Sequence, residues 1–240
     1  MIEFYDVTVM FGGGPPALES VSLRVAAGEF AFVVGPTGAG KSTLLRLIYR
    51  DVLPTRGCVR VLGRDMAQMS PREVPHLRRH IGVVFQDASL LPRKTVWENV
   101  AFALQVIGAS RATILREVPR ALSVVGLSDK AYAYPETLSG GEQQRACIAR
   151  AIVNHPSIVV ADEPTGNLDP ATSWDVMQVL RHVNAHGTTV VVATHDREVV
   201  DRMRKRVIVL DKGRVARDAE DSDYEGVAAS SGVFLEGDLH

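Results

Sequence analysis

A glycine-rich segment near residue 40 has the residue types and the spacing needed to hold phosphate groups. It reads Gly35-Pro36-Thr37-Gly38-Ala39-Gly40-Lys41-Ser42 and matches the pattern G-x-x-x-x-G-K-[ST]. An apolar run precedes it and a predicted helix over Thr43–Arg50 follows, so backbone N–H groups and a helix N-terminus can converge on phosphate oxygens. We therefore predict a triphosphate-binding loop at residues 35–43, with Lys41 reaching the outer phosphates and Ser42 ligating Mg²⁺.

Two adjacent carboxylates end a second apolar run and could serve the same phosphates. Ile158–Ala161 leads directly into Asp162 and Glu163, and ligands of open α/β sheets bind at the carboxyl ends of the strands. Because adjacent strand positions face opposite ways, we predict different roles for the two side chains. Asp162 is expected to hold Mg²⁺ through its water shell, and Glu163 to orient and deprotonate the attacking water.

A second glycine-bearing helix start lies about a hundred residues after the first. It reads Leu138-Ser139-Gly140-Gly141-Glu142-Gln143-Gln144-Arg145, in which Ser139 and Glu142 have the spacing of a capping box. Such a helix tip is an anion site, in a chain that already has a complete one. The alternative interpretation is a well-capped helix whose glycines only permit close packing.

These three segments together resemble the ATP-binding-cassette (ABC) ATPases, and the resemblance runs from Met1 to about Arg217. It implies ATP and Mg²⁺ as cofactors, and ATP hydrolysis as the activity. It also implies a head-to-tail homodimer in which the tip formed by Ser139, Gly140, Gly141 and Glu142 caps, in trans, the γ-phosphate of ATP held by the other copy. ATP would then join two subunits.

Other positions match the family's pattern residue by residue. The resemblance implies that Gln86, at the end of the predicted strand Ile81–Phe85, reaches Mg²⁺ and the attacking water, and that His195 contacts the γ-phosphate. It implies that Phe11 stacks on adenine, where tyrosine is commoner; the hydroxyl is missing and the stacking face remains. In the loop that begins at Gly166, it places Asn167, Leu168 and Asp169 across the dimer interface.

The elements that must position these residues indicate an α/β fold. Four short runs are apolar on both strand faces, as in a parallel sheet covered on both sides: Phe30–Val34, Ile81–Phe85, Ile158–Ala161 and Val190–Ala193. We predict a P-loop NTPase (RecA-like) core with this sheet, a small N-terminal antiparallel β subdomain before Gly28, and an inserted α-helical subdomain at about 88–146. The nucleotide-binding domain is predicted to span residues 1–217, followed by an acidic, mobile tail at 218–240.

The charge and hydropathy of the whole chain limit the kinds of partner that it is expected to bind. A net charge of -1 and a pI near 6.7 give no basic field for nucleic acid, so we expect no nucleic-acid partner. The chromosome-organising ABC ATPases are disfavoured further because the insert is short and lacks heptad repeats. The apolar runs are far shorter than the ~18 residues of a membrane span, so membrane attachment would need a partner.

Residues 80–104, together with Glu142–Arg145 and Gly166–Pro170, resemble one group within the family, the bacterial cell-division ATP-binding proteins of the FtsE type. That resemblance implies an integral membrane partner of the FtsX type, a peripheral location at the cytoplasmic face of the cell membrane, and regulation of cell-wall hydrolases. An ATPase subunit of a lipoprotein-releasing or macrolide-type exporter stays open, as does a nucleotide-gated scaffold. The sequence departs from the family's pattern at Ala146-Cys147, the two residues that follow Arg145.

Three apolar residues beside Gln86 are candidates for contact with the membrane partner. They are Leu90, Leu91 and Trp97, and the resemblance places them where such ATPases receive a helix of the partner. The alternative is internal packing of the helical subdomain.

Overall fold

The computed structural model describes residues 1–219 of the 240-residue chain. The strands within this range are β1 (Ile2–Val9), β2 (Leu18–Val25), β3 (Phe30–Val34), β4 (Arg56–Val61), β5 (Arg64–Asp65), β6 (Ile81–Val84), β7 (Ile158–Asp162), β8 (Thr189–Ala193), β9 (Arg206–Asp211) and β10 (Arg214–Ala219). The helices are α1 (Lys41–Ile48), α2 (Val74–Arg78), α3 (Val96–Val106), α4 (Arg111–Val124), α5 (Gly140–Ile152), α6 (Pro170–Ala185) and α7 (Arg197–Met203).

The main sheet has six strands in the order β10-β9-β3-β8-β7-β6. All neighbouring pairs from β9 to β6 are parallel, and β10 pairs antiparallel with β9 at one edge. Alternate residues of β3 pack into two different hydrophobic clusters, with Phe32 on one face and Val33 on the other. The sheet is therefore covered on both faces, which confirms the prediction made from the uninterrupted apolar runs.

A second, antiparallel sheet contains the N-terminal strands in the order β2-β1-β4-β5. Helix α1 packs between the two sheets, because Leu44 and Leu47 share one cluster with Phe4 of β1 and Val33 of β3. The sequence predicted the first two strands of this sheet, whereas β4 and β5 were not predicted. This packing fixes the start of α1, and with it the preceding loop, against the main sheet.

The helical subdomain is built from α3, α4 and the start of α5. The predicted capping box at Ser139 is present: the Ser139 N–H donates to Glu142 Oε2 at 2.9 Å, and the Glu142 N–H donates to Ser139 Oγ at 3.3 Å. Thr95 and Glu98 form a second capping box at the start of α3. Both helix starts are thereby set by local chemistry that the sequence reveals.

Several boundaries differ from those predicted. Helix α1 begins at Lys41 and ends at Ile48, two residues earlier than predicted at each end. Strand β6 ends at Val84, because Phe85 leaves the sheet with 46% of its surface exposed. Strand β10 continues to Ala219, two residues beyond the predicted end of the nucleotide-binding domain.

The rest of the predicted acidic tail, residues 220–240, lies outside the described residues. Within residues 1–219, no helix is at once long and apolar enough to cross a lipid bilayer.

Candidate nucleotide-binding site

The predicted phosphate loop leaves β3 and turns into α1 through glycines that no other residue could replace. Gly35 and Gly40 have φ values of 152° and 104°. A Cβ at Gly35 would lie 2.2 Å from the carbonyl oxygen of Leu210, and one at Gly40 would lie 2.5 Å from that of Ala17. The loop is therefore shaped from outside by β9 and by the residue that precedes β2.

The start of α1 presents backbone N–H groups where the motif predicts phosphate binding. Gly40 is its N-cap residue and offers no side chain to the first N–H groups of the helix. Lys41 is 8% exposed, and its Nζ donates to the carbonyl oxygens of Gly35 at 2.7 Å and Pro36 at 3.3 Å. The ammonium group thus lies over the loop. Ser42, like Thr37 and Gly38, is exposed, whereas Ala39 is buried and Thr43 half-buried.

Asp162 is the last residue of β7 and carries the signs of a cation ligand. None of the described residues donates a hydrogen bond to its Oδ1, although that atom is buried. Burial raises the pKa of Asp162 and the carboxylate of Glu163 adds to the rise, whereas Ser42 and Lys41 oppose it. A buried carboxylate oxygen without a protein donor, next to a hydroxyl, is the donor set that Mg²⁺ prefers. The residues present therefore fit the predicted ion.

Glu163 lies beyond the end of β7, in the left-handed region at φ 47°. Its N–H donates to the carbonyl oxygen of Ala193, the last residue of β8, at 2.9 Å. We predicted from the alternation of strand positions that Glu163 and Asp162 face different ways. That reasoning is wrong for Glu163, because a backbone turn beyond the strand sets the direction of its side chain. Its carboxylate lies 3.7 Å from Lys41 Nζ and 2.9 Å from His195 Nδ1.

Gln86 and His195 reach the same edge of the sheet from two other strands. His195 follows β8 and is joined to Glu163 by its backbone N–H as well as by its ring. Gln86 follows β6, and its side chain lies against Gly166, where a Cβ would be 3.0 Å from Gln86 Nε2. The parallel order β3-β8-β7-β6 thus brings the phosphate loop, His195, the two carboxylates and Gln86 to the carboxyl edge in sequence.

The second helix tip and the predicted dimer loop lie beside each other. A Cβ at Gly140 would be 3.1 Å from Leu168 Cδ2, and a Cβ at Gly141 would be 2.2 Å from Thr172 Cγ2. Ser139 and Gly140 are exposed, whereas Gly141 is buried. Close packing against α6 therefore accounts for Gly141, as the alternative interpretation held, and leaves Ser139 and Gly140 on the surface.

Hydrogen bonds hold both of these segments in place. Asp169 caps α6, and the bonds from the Thr172 side chain and N–H hold the pKa of the Asp169 carboxyl below its usual range. The Ser139 N–H likewise lowers the pKa of Glu142. Asn167, in the same loop as Leu168 and Asp169, is exposed. The tip and the loop form one surface, built from described residues of a single chain.

Phe11 stands apart from these groups. It follows the end of β1, and 50% of its surface is exposed and open to contact. Strand β1 ends at Val9, so Phe11 lies outside the sheet. Its role against adenine stays a prediction.

Sequence reasoning missed several residues that shape the site through tertiary contacts. Ala17 and Leu210 shape the phosphate loop through their carbonyl oxygens, for which side-chain identity carries no signal. Thr172 sets the requirement for Gly141, and Gln144 bonds the carbonyl of Phe85 at 3.0 Å. For β9 a signal did exist: the apolar run 207–210 before Lys212-Gly213 predicts a hairpin.

Comparison with known proteins agrees with this arrangement. A family model described as "ABC transporter" matches residues 18–166. The chain is 53% identical to the cell division ATP-binding protein FtsE of Mycobacterium tuberculosis over 225 residues, which are 93% of this chain and 98% of that protein. It is 51% identical to FtsE of Bacillus subtilis over 224 residues, with the same coverage.

A solved structure is also similar. The dimeric ATP-binding cassette MJ0796, in a post-hydrolysis state bound to ADP and Pi, superposes with a TM-score of 0.83 at 36% identity, covering 93% of this chain and all of that one. The chain therefore belongs to the ABC ATPase family, among the cell division ATP-binding proteins FtsE.

Proposed function

We propose that this ABC ATPase is the ATP-hydrolysing subunit of an FtsEX-type membrane complex that acts in bacterial cell division. The observation that carries the proposal is the identity of 47% to 53% to FtsE proteins over at least 90% of the chain. In the proposed complex, ATP-driven dimerisation is transmitted through an FtsX-type membrane protein and regulates cell-wall hydrolases. The chain itself would be peripheral, at the cytoplasmic face of the membrane.

The proposed chemistry is hydrolysis with Glu163 as the general base. Glu163 lies between the Lys41 ammonium and the His195 ring, so its carboxylate is positioned by two groups that are themselves predicted to contact phosphate. Asp162, Ser42 and Gln86 would hold Mg²⁺, which supplies charge neutralisation for the phosphates when bound. His195 and Lys41 would bind the γ-phosphate, and Glu163 would accept the proton of the attacking water.

The proposed active form is a head-to-tail homodimer. Its support is the surface formed by Ser139, Gly140 and the loop around Leu168, which is exposed in one chain and contains the residues predicted to act in trans. A helix tip with exposed N–H groups attracts an anion wherever one is brought to it. A γ-phosphate held by the second copy would provide that anion.

Contact with the membrane partner is proposed for the segment beside Gln86. Leu90 and Trp97 are half-buried and pack against the main hydrophobic cluster, as the internal-packing alternative expects. Leu91 is half-buried, while Phe85 and Phe102 expose 46% and 41% of their surface. An exposed ring such as that of Phe85, next to Gln86, supplies an apolar contact of the kind that an amphipathic helix of a partner would cover.

Affinity purification from detergent-solubilised membranes tests the proposed complex. We expect a tagged chain carrying Glu163→Gln to retain, in the presence of ATP, a four-span membrane protein with a large extracytoplasmic domain. Recovery of a lipoprotein-handling or drug-export permease instead would contradict the cell-division role and support the exporter alternative. A chain carrying Lys41→Ala as well serves as the nucleotide-binding control.

A further inference from the structure

One face of α5 holds the backbone of the segment that contains Gln86. Gln144 Nε2 donates to the carbonyl oxygen of Phe85 at 3.0 Å, Cys147 Sγ donates to that of Ala88 at 3.0 Å, and Arg150 Nη1 donates to that of Ser89 at 2.8 Å. The three donors are spaced three residues apart, so they lie along neighbouring turns of one helix. We call them the α5 donors.

The segment needs these bonds because it has left the sheet. Strand β6 ends at Val84, and beyond it the chain no longer has the parallel ladder that pairs Val84 with Ala161 of β7. Phe85 is half exposed and so cannot be held by burial of its own side chain. Fixed side-chain donors on a packed helix replace the ladder for these carbonyl groups.

Two of the α5 donors are buried, which makes them rigid. Gln144 and Cys147 are each only 3% exposed. Burial raises the pKa of the Cys147 thiol to about 11, so at neutral pH the sulfur keeps its hydrogen and acts as a donor. The departure of this sequence at Ala146-Cys147 therefore leaves a donor at this position.

We propose that Gln144 is a positioning residue for ATP hydrolysis, because it fixes the Phe85 carbonyl and thereby places the adjacent Gln86 at the nucleotide. Cys147 and Arg150 extend the same attachment along α5. The N-terminal tip of this helix is Ser139–Gly141, so the segment that contacts one nucleotide is fastened to the helix whose tip faces the other. The inference rests on the proposed role of Gln86.

A double-mutant cycle on the purified full-length protein tests the inference. The variants are Gln86→Ala, Gln144→Met and the two together; methionine keeps the length of the side chain and removes the donor. We expect each single change to lower kcat by about tenfold, ~1.4 kcal/mol of barrier, with the KM for ATP within about twofold. The double variant should be about tenfold slower, not a hundredfold, because both changes remove one shared function.

Asn154→Leu is the matched control. Its Nδ2 also donates to a backbone carbonyl, that of Arg79, at 2.8 Å, but at the opposite end of β6. Its effect on kcat, whatever its size, should multiply with that of Gln86→Ala. A merely structural contribution of Gln144 would give the same multiplicative result as this control.

The outcomes of this cycle distinguish a failure of the positioning role of Gln144 from a failure of the proposed role of Gln86. If Gln86→Ala lowers kcat and the effects of Gln86→Ala and Gln144→Met multiply, the positioning role is wrong while the role of Gln86 stands. If Gln86→Ala leaves kcat unchanged, the role of Gln86 is wrong and the inference falls with it. Should Gln144→Met fail to fold, the same cycle with Arg150→Ala, at a half-buried position, gives the decision.

Discussion

Glu163 has a backbone conformation that residues with a side chain seldom adopt. Its φ of 47° is held by two hydrogen bonds, from its N–H to Ala193 and to its carbonyl from the N–H of Gly166. Such conformations cost on the order of 1–3 kcal/mol and persist only where the surroundings fix them. At this residue the result is a carboxylate aimed at Lys41 and His195, which a straight continuation of the strand would not give.

Replacing this carboxylate by an amide tests its role as the base. We expect Glu163→Gln to lower turnover by roughly 10²–10⁴, about 3–5 kcal/mol of barrier, because an amide cannot accept the proton of water. The dissociation constant for ATP should change by less than about threefold. Steady-state hydrolysis and nucleotide titration measure the two quantities.

The matched control for that change is Glu198→Gln. Glu198 is an exposed carboxylate on α7, paired with Arg202 at 3.3 Å, and lies outside the predicted site. The same substitution there should leave turnover nearly unaltered. Near-normal turnover of Glu163→Gln would exclude it as the base.

Lys41 allows a separate test of the phosphate loop. Its ammonium group is buried against the loop carbonyls, so Lys41→Ala removes the one charge of the motif. We expect the affinity for ATP to fall by at least about tenfold, ~1.4 kcal/mol. Arg46→Ala, a cation on the same helix paired with Asp51 at 2.7 Å, is the control and should retain affinity. Tight ATP binding by Lys41→Ala would contradict the motif's assignment.

At the scale of elements, Gly140 and Gly141 of the second helix tip have different roles. A methyl group at Gly141 would lie 2.2 Å from Thr172 Cγ2, so in Gly141→Ala either the Thr172 side chain or α5 itself must shift. We expect a loss of about 1–3 kcal/mol in the free energy of unfolding. Thr172→Ser removes that methyl and keeps the hydroxyl that bonds Asp169, so the double variant should recover stability. Urea denaturation measures all three proteins.

Gly140→Ala is the comparison for this pair. Its added methyl would meet only the end of the Leu168 side chain, at 3.1 Å, which can move. Stability should therefore change by less than about 0.5 kcal/mol, as for other surface positions. Equal destabilisation by the two alanines would show that both glycines serve packing.

The elements also show where sequence patterns suffice and where they fail. The capping box at Ser139 and the apolar run of β3 are local features, and the structure confirms them. The end of β6 was misplaced by one residue, because Phe85 is apolar yet exposed. The α5 donors could not be predicted, since Gln144 and Phe85 are 59 residues apart and only the fold brings them together.

At the scale of the whole molecule, strand order assembles the site from four separate parts of the sequence. The motifs predicted each part, but not that β8 lies between β3 and β7, so that Glu163 contacts both His195, beyond β8, and Lys41, beyond β3. Local patterns carry no information on strand order. The second helix tip is built by the same chain, yet it lies on an exposed surface with the Leu168 loop. In the proposed homodimer, a complete site would combine surfaces from two copies.

Sedimentation velocity tests this composite site. Glu163→Gln should be a monomer without nucleotide and a dimer with ATP and Mg²⁺, because uncleaved ATP joins the two surfaces. Adding Gly140→Glu places a carboxylate at the exposed tip, where it would repel the γ-phosphate held by the other copy. That double variant should stay monomeric and still bind ATP within roughly threefold of Glu163→Gln. Loss of ATP binding by the monomer would mean that the tip contacts its own chain's nucleotide, and retained dimerisation would place the tip outside the interface.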